Sequence, residues 1–193
     1  MSGAILDGII GTLLTFDKYG CWCDFPGNMD IKSRSEPVND LDSACKVLHN
    51  NYECISMDHT CDPRSLTEDD YAIPLSALSP FDTSDVFTSC SNANTNSCGR
   101  DTCIAEINFF KTTLSPIYMG DADWNAMWAD TTNMHSPDGT FDYSTQCMAS
   151  GPPRTPTENT SSLACCGSYP FRTPFNTGRS VCCGENLEAI GSC

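Results

Sequence analysis

Fourteen cysteines and three histidines are the residues of this chain best suited to chemistry, and they point to two kinds of it. Thiolates and imidazoles can hold a metal ion, or the cysteines can pair as disulfides. Structural zinc sites usually space their cysteines as Cys-x-x-Cys. The doublets Cys165-Cys166 and Cys182-Cys183 lack that spacing, and His49, His59 and His135 are the only histidines available. Thiols at this density persist as disulfides where the compartment is oxidising, so the chain is expected to be secreted and extracellular. The set divides evenly, with Cys21, Cys23, Cys45, Cys54, Cys61, Cys90, Cys98 and Cys103 early, and Cys147, Cys165, Cys166, Cys182, Cys183 and Cys193 late.

Other constellations carry less. Asp121-Ala122-Asp123-Trp124-Asn125 begins like a calcium loop, but Ala126 stands where the turn needs glycine and Thr132 where it closes on glutamate, so no EF-hand is expected. His135 and Asp138 lie beside no nucleophile motif, and no Gly-x-Ser-x-Gly elbow occurs. The formal net charge of -15 opposes attraction to nucleic acid or anionic lipid. It leaves calcium or a basic partner as companions of an acidic surface, or simple solubility as its purpose.

The elements that must position these residues follow from pattern. Ile5, Leu6, Ile9, Ile10, Leu13, Leu14 and Phe16 recur at helical spacing, which predicts an amphipathic helix over 4–17. A second helix is expected from Pro37 through Tyr52, started by Asn39 or Asp40, whose short polar side chains accept free backbone amides. Residues 62–82 read as loop. Asp85 to Cys98 reads as a short hairpin, with Val86 and Phe87 on one arm and Asn92 to Asn96 at the turn. Thr102 to Leu114 reads as another long helix, stopped by Pro116. Gly151-Pro152-Pro153-Arg154-Thr155-Pro156 marks a linker, and Asn159-Thr160-Ser161 is a glycosylation sequon. The segment beyond it is too short for a large core and must be stapled or packed on a neighbour. Met1 to Gly20 has no basic start, and Asp7 and Asp17 interrupt its apolar residues, so the numbering is expected to begin after a removed leader. No run is long and apolar enough for a transmembrane segment.

Two stretches carry a resemblance. Tyr19-Gly20-Cys21-Trp22-Cys23, followed by Pro37-Val38-Asn39-Asp40-Leu41-Asp42-Ser43-Ala44-Cys45-Lys46-Val47-Leu48-His49-Asn50-Asn51-Tyr52, resembles the calcium loop and first long helix of the secreted phospholipase A(2) family. That family reads Tyr-Gly-Cys-x-Cys-Gly-x-Gly-Gly and then Pro-x-Asp-x-Leu-Asp-x-Cys-Cys-x-x-His-Asp-x-Cys-Tyr. The likeness covers roughly residues 4–115. It implies a mainly α, disulfide-rich fold with two long antiparallel helices, an N-terminal helix and a small β-hairpin, then a small irregular Cys-rich module. The chain would divide into a phospholipase A(2)-like domain at 1–118 and a C-terminal module at 119–193, with a linker over 148–162.

The resemblance also implies pairings. Family cysteines that bond each other match Asn51 with Ala105 and Ala44 with Thr112, so two bridges have each lost both partners. The implied survivors are Cys23–Cys45, Cys61–Cys98 and Cys90–Cys103. Cys21, Cys54, Cys147, Cys165, Cys166, Cys182, Cys183 and Cys193 stay unassigned, although the family match of Cys21 reaches the C-terminal part of its chain.

In the family a histidine takes a proton from water, calcium on the adjacent aspartate stabilises the oxyanion, and a further acid with tyrosines orients the histidine. Here Leu48 stands at the base, His49 at the calcium-binding aspartate, Glu106 at the orienting acid and Tyr52 at one tyrosine. Leucine accepts no proton, and loss of a general base costs about 100- to 10,000-fold in rate. Calcium prefers oxygen to imidazole nitrogen, and Asp24-Phe25-Pro26-Gly27 replaces the glycines that bend loop carbonyls toward the ion. A register with one inserted residue would make His49 the base and put Asn50 at the calcium position. His49 is expected to be an ordinary, partly exposed helix residue, and Glu106 a relic satisfied by Tyr52.

The expected function is therefore non-enzymatic: a structural or assembly protein of an extracellular matrix, filament or mineralised material. It needs no cofactor or metal, calcium at the loop included. Its partners would be other proteins or copies of itself. The alternatives are a divergent calcium-dependent phospholipase using His49 and Glu106, and a lipid- or protein-binding module.

Overall fold

The computed structural model describes residues 19–23, 36–67, 69–79, 82, 84–129, 131–134, 141–147 and 162–193. The expected helix over 4–17, the altered loop after Cys23, Asn159, His135 and Asp138 lie outside the described residues. The chain is mainly α-helical with small antiparallel sheets, and seven disulfides use all fourteen cysteines. Two compact units are each assembled from two stretches of chain, 1–46 with 126–154 and 47–125 with 155–193. Neither unit coincides with the division at residue 118 that the resemblance implies, and late cysteines bond early ones. Cys147 joins Cys21 in the first unit, and Cys165 joins Cys54 in the second.

Helix α1, Asp40–His59, runs through both units. Its start is set by Asn39, whose Oδ1 accepts from the Asp42 amide at 3.1 Å. That bond satisfies one of the amides a helix N-terminus leaves free. Asp40 and Asp42 in the first turn and His59 in the last complement the helix dipole.

In the first unit the Asp42 side chain organises the chain that precedes the helix. Its wholly buried carboxylate accepts from the amides of Cys21 at 2.9 Å, Trp22 at 2.7 Å and Val38 at 3.0 Å. Gly20 makes this approach possible. Its φ of +56° is a left-handed conformation, and a Cβ there would lie 2.5 Å from the Asp42 carboxyl carbon. Tyr19 forms bridges with Cys23 and Met134, and the Gly20 amide donates to the Asn133 carbonyl at 2.8 Å. Cys23–Cys45 then ties this turn to α1.

In the second unit the segment expected as a hairpin is helical. Residues Val86–Ala93 form α2, capped by Asp85, which accepts from the Thr88 amide and hydroxyl at 2.8 and 2.6 Å. That cap, together with Cys90 buried and bonded to Cys103, fixes a helix where β-branched and aromatic residues suggested strand. Helix α3, Ser97–Tyr118, starts at Asn96 and continues through Pro116 rather than stopping there. The proline lies within the final turn, where its missing N–H removes one helical bond, and amides at Met119, Gly120 and Asp121 close the end. Residues 62–82 contain two short 3-10 helices, Pro63–Ser65 and Leu75–Leu78. Ala77, Cys90, Cys103, Ile104 and Ile107 form a core covered by Tyr71, Ile73, Leu78, Val86 and Tyr169.

Helix α4, Ala122–Ala129, begins at Asp121, whose Oδ1 accepts from the Asp123 and Trp124 amides at 3.0 and 3.1 Å. The string that reads like the start of a calcium loop is thus a helix start. A single-turn helix, α5, covers Tyr143–Gln146. The C-terminal segment forms β1, Leu163–Cys166, paired antiparallel with β2, Thr173–Asn176, and β3, Ser180–Cys183, paired antiparallel with β4, Asn186–Ala189.

Replacing Gly20 with alanine would force a left-handed alanine against a buried carboxylate. We expect Gly20→Ala to cost about 2 kcal/mol or more, read from reversible denaturant unfolding with the disulfides intact.

Candidate functional site

Helices α1 and α3 run antiparallel, since Tyr52 pairs with Glu106 while His59, further along α1, pairs with the earlier Asp101. The Tyr52 hydroxyl donates to Glu106 Oε1 at 2.6 Å, and the Tyr71 hydroxyl donates to Oε2 at 2.7 Å. Each carboxylate oxygen therefore receives a phenol. Even so, burial holds the Glu106 carboxyl above its usual range, outweighing the two hydrogen bonds. Burial and the Glu106 charge together push both phenols upward, so they stay protonated donors. Tyr71 lies in the segment read as loop, where nothing in the local pattern announces a partner 35 residues away.

Leu48 is buried at 4% exposure. His49 is buried as well, which corrects the expectation of a partly exposed helix residue. Removal from water lowers its pKa from 6.5 to about 4, and the Arg64 guanidinium adds to the shift, so the imidazole is neutral at physiological pH.

The positions at which the resemblance implies missing cysteines differ in burial. Ala44 and Ala105 are buried, and Thr112 is exposed. Asn51 is wholly buried and is an anchor: its Nδ2 donates to the Pro170 carbonyl at 2.6 Å, and its Oδ1 accepts from the Arg172 amide at 3.2 Å. Two turns along α1, Asp58 accepts from Arg172 Nε at 2.7 Å and from the Tyr169 hydroxyl at 2.9 Å. Cys54 lies between them and bonds Cys165. Asn51, Cys54 and Asp58 follow helical spacing, a signal available in the sequence once α1 is extended to His59.

A third polar group joins the same helices. His59 Nε2 lies 2.7 Å from Asp101 Oδ2, and Arg100 Nε donates to Asp101 Oδ1 at 2.7 Å. These residues are distant in sequence, so pattern alone does not pair them. Three of the seven disulfides are Cys23–Cys45, Cys61–Cys98 and Cys90–Cys103, the pairs implied by the resemblance. The others are Cys21–Cys147, Cys54–Cys165, Cys166–Cys182 and Cys183–Cys193. Among the described residues no cluster of three or more His, Cys, Asp or Glu side chains is arranged to hold a metal ion, and no helix is long and apolar enough to cross a membrane.

No family model, curated protein or solved structure matches the chain. The structure by itself defines the class: a disulfide-rich, mainly helical chain with a mostly buried carboxylate held between two tyrosines.

The His49 shift sets a pH dependence. Its folded pKa is depressed, so its contribution is present above about 6.5 and is lost as the pH falls toward 4, when the unfolded chain gains a proton that the native one refuses. The loss should reach about 3 kcal/mol at about 1.4 kcal/mol per pH unit. Denaturant midpoints measured from pH 7 to pH 4 should fall less steeply in a His49→Gln variant.

Proposed function

We propose that this chain is a secreted, non-enzymatic phospholipase A(2)-like scaffold that serves as a structural or assembly component of extracellular material. The observation that carries the reading is Leu48, a buried hydrocarbon at the position of the proton acceptor, beside a Glu106–Tyr52–Tyr71 arrangement that would support one. A side chain without a lone pair cannot take a proton from water. His49, in the neighbouring position, offers nitrogen where a hard cation prefers carboxylate oxygen. The antiparallel α1 and α3 pair and the three implied disulfides favour the same lineage.

Seven disulfides support export, since such bonds persist in oxidising compartments. A framework stapled this heavily keeps its shape outside the cell without needing catalysis to justify it. The acidic surface suits a basic protein partner, calcium-bridged association or solubility in a dense material.

Phospholipid vesicles incubated with the purified chain and calcium test the reading. We expect no hydrolysis above the vesicle blank, and no difference between the native chain and His49→Gln. Calcium-dependent release of fatty acid that disappears in His49→Gln would replace the proposal with a divergent phospholipase. Phospholipid co-purifying with the chain, without turnover, would favour a lipid-binding module.

A further inference from the structure

The seven disulfides differ in how well the fold protects them. Five contain at least one buried cysteine: Cys21–Cys147, Cys23–Cys45, Cys54–Cys165, Cys90–Cys103 and Cys166–Cys182. Cys61 and Cys98 are both partly covered, and Cys98 is held within α3. Cys183–Cys193 contains the exposed cysteine, Cys193. It also has the shortest sequence separation, 10 residues, so it restricts the unfolded chain least. Strand β4, which lies within that loop, is exposed along its whole length and pairs with β3 alone. Little burial opposes movement of this segment once the bond opens.

We propose that Cys183–Cys193 is an exchangeable disulfide through which copies of this chain become covalently linked. The proposal rests on the assembly reading and names the bond that would serve it. A thiolate from a low-molecular-weight monothiol attacks Cys193 Sγ, forms a mixed disulfide there and expels the Cys183 thiolate. That thiolate attacks Cys193 Sγ of a second copy, forming an interchain Cys183–Cys193 bond and expelling the second Cys183 thiolate. Each transfer breaks one S–S bond and forms one, so propagation consumes no oxidant and the initiating thiol stays on the first chain.

The geometry protects the rest of the segment during this exchange. Successive strand residues face opposite sides, so Cys182, opposite Leu187, and Cys183, opposite Asn186, point apart. The released Cys183 thiolate is directed away from Cys166–Cys182. Glu188, opposite Val181, shares the Cys183 face and disfavours anionic thiols, while the net charge of -15 separates the copies. Exchange between copies should therefore rise with ionic strength.

The test uses the full folded chain, an equal mixture of isotopically heavy and light protein, and limiting 2-mercaptoethanol followed by alkylation and mass spectrometry. We expect Cys183 and Cys193 to open at least about tenfold faster than any other pair. We also expect heavy–light Cys183–Cys193 peptides, with covalent oligomers on non-reducing gels that increase with salt. A Cys183→Ser, Cys193→Ser double variant should keep six disulfides and a native-like unfolding midpoint yet form no such oligomers. Earlier opening of another pair, or opening of Cys183–Cys193 without heavy–light peptides, would overturn the inference. Sedimentation without thiol examines non-covalent association separately, so loss of the exchange leaves the assembly reading to stand or fall on its own result.

Discussion

A carboxylate taken out of water must be given hydrogen-bond donors, and in this chain those donors hold distant segments in place. Asp42 collects three backbone amides, from Cys21, Trp22 and Val38. Glu106 collects two phenols, and Asp101 collects an imidazole and a guanidinium. An unpartnered buried ion costs several kcal/mol, so each acid strongly selects the arrangement that brings its donors near. Gly20 shows how far the backbone yields to this demand, since it adopts a positive φ where any side chain would meet the Asp42 carboxyl.

Disulfides and polar anchors exchange roles along α1. Where the resemblance places a half-cystine, Asn51 instead fastens the turn at Pro170 and Arg172 by hydrogen bonds. One turn along the same helix lies a covalent link, Cys54–Cys165, and Asp58 completes the attachment through Arg172 and Tyr169. Removing a native bridge from a small disulfide-rich domain typically costs about 2 to 5 kcal/mol. The Cys54–Cys165 bridge and these hydrogen bonds together attach α1 to the C-terminal strands.

The candidate site is a mostly buried carboxyl shared by two phenols. Two tyrosines present their hydroxyls to Glu106, while on α1 Leu48 is a buried hydrocarbon and the neighbouring His49 imidazole is desolvated. Such a network retains value without catalysis, because removing any member would leave a largely buried polar group without its partner. Its geometry is therefore compatible with a structural role.

Composition and spacing by themselves determined that this is a cysteine-stapled, acidic chain with a long helix over residues 37–52; the role of Leu48 came only from what the resemblance implies. Helix α1 was legible because its cap, Asn39, and its apolar spacing are local signals. The segment 85–98 reads as a hairpin because Val86 and Phe87 suit strands, whereas the Asp85 cap and the Cys90–Cys103 bond to α3 decide for helix. Pro116 reads as a stop, but within the last turn it removes only one helical bond. Burial of His49, the second phenol on Glu106 and the attachment of residues 169–172 to Asn51 and Asp58 were decided by tertiary structure alone. Their partners lie far apart in sequence, and only folding brings them within hydrogen-bonding distance and out of water.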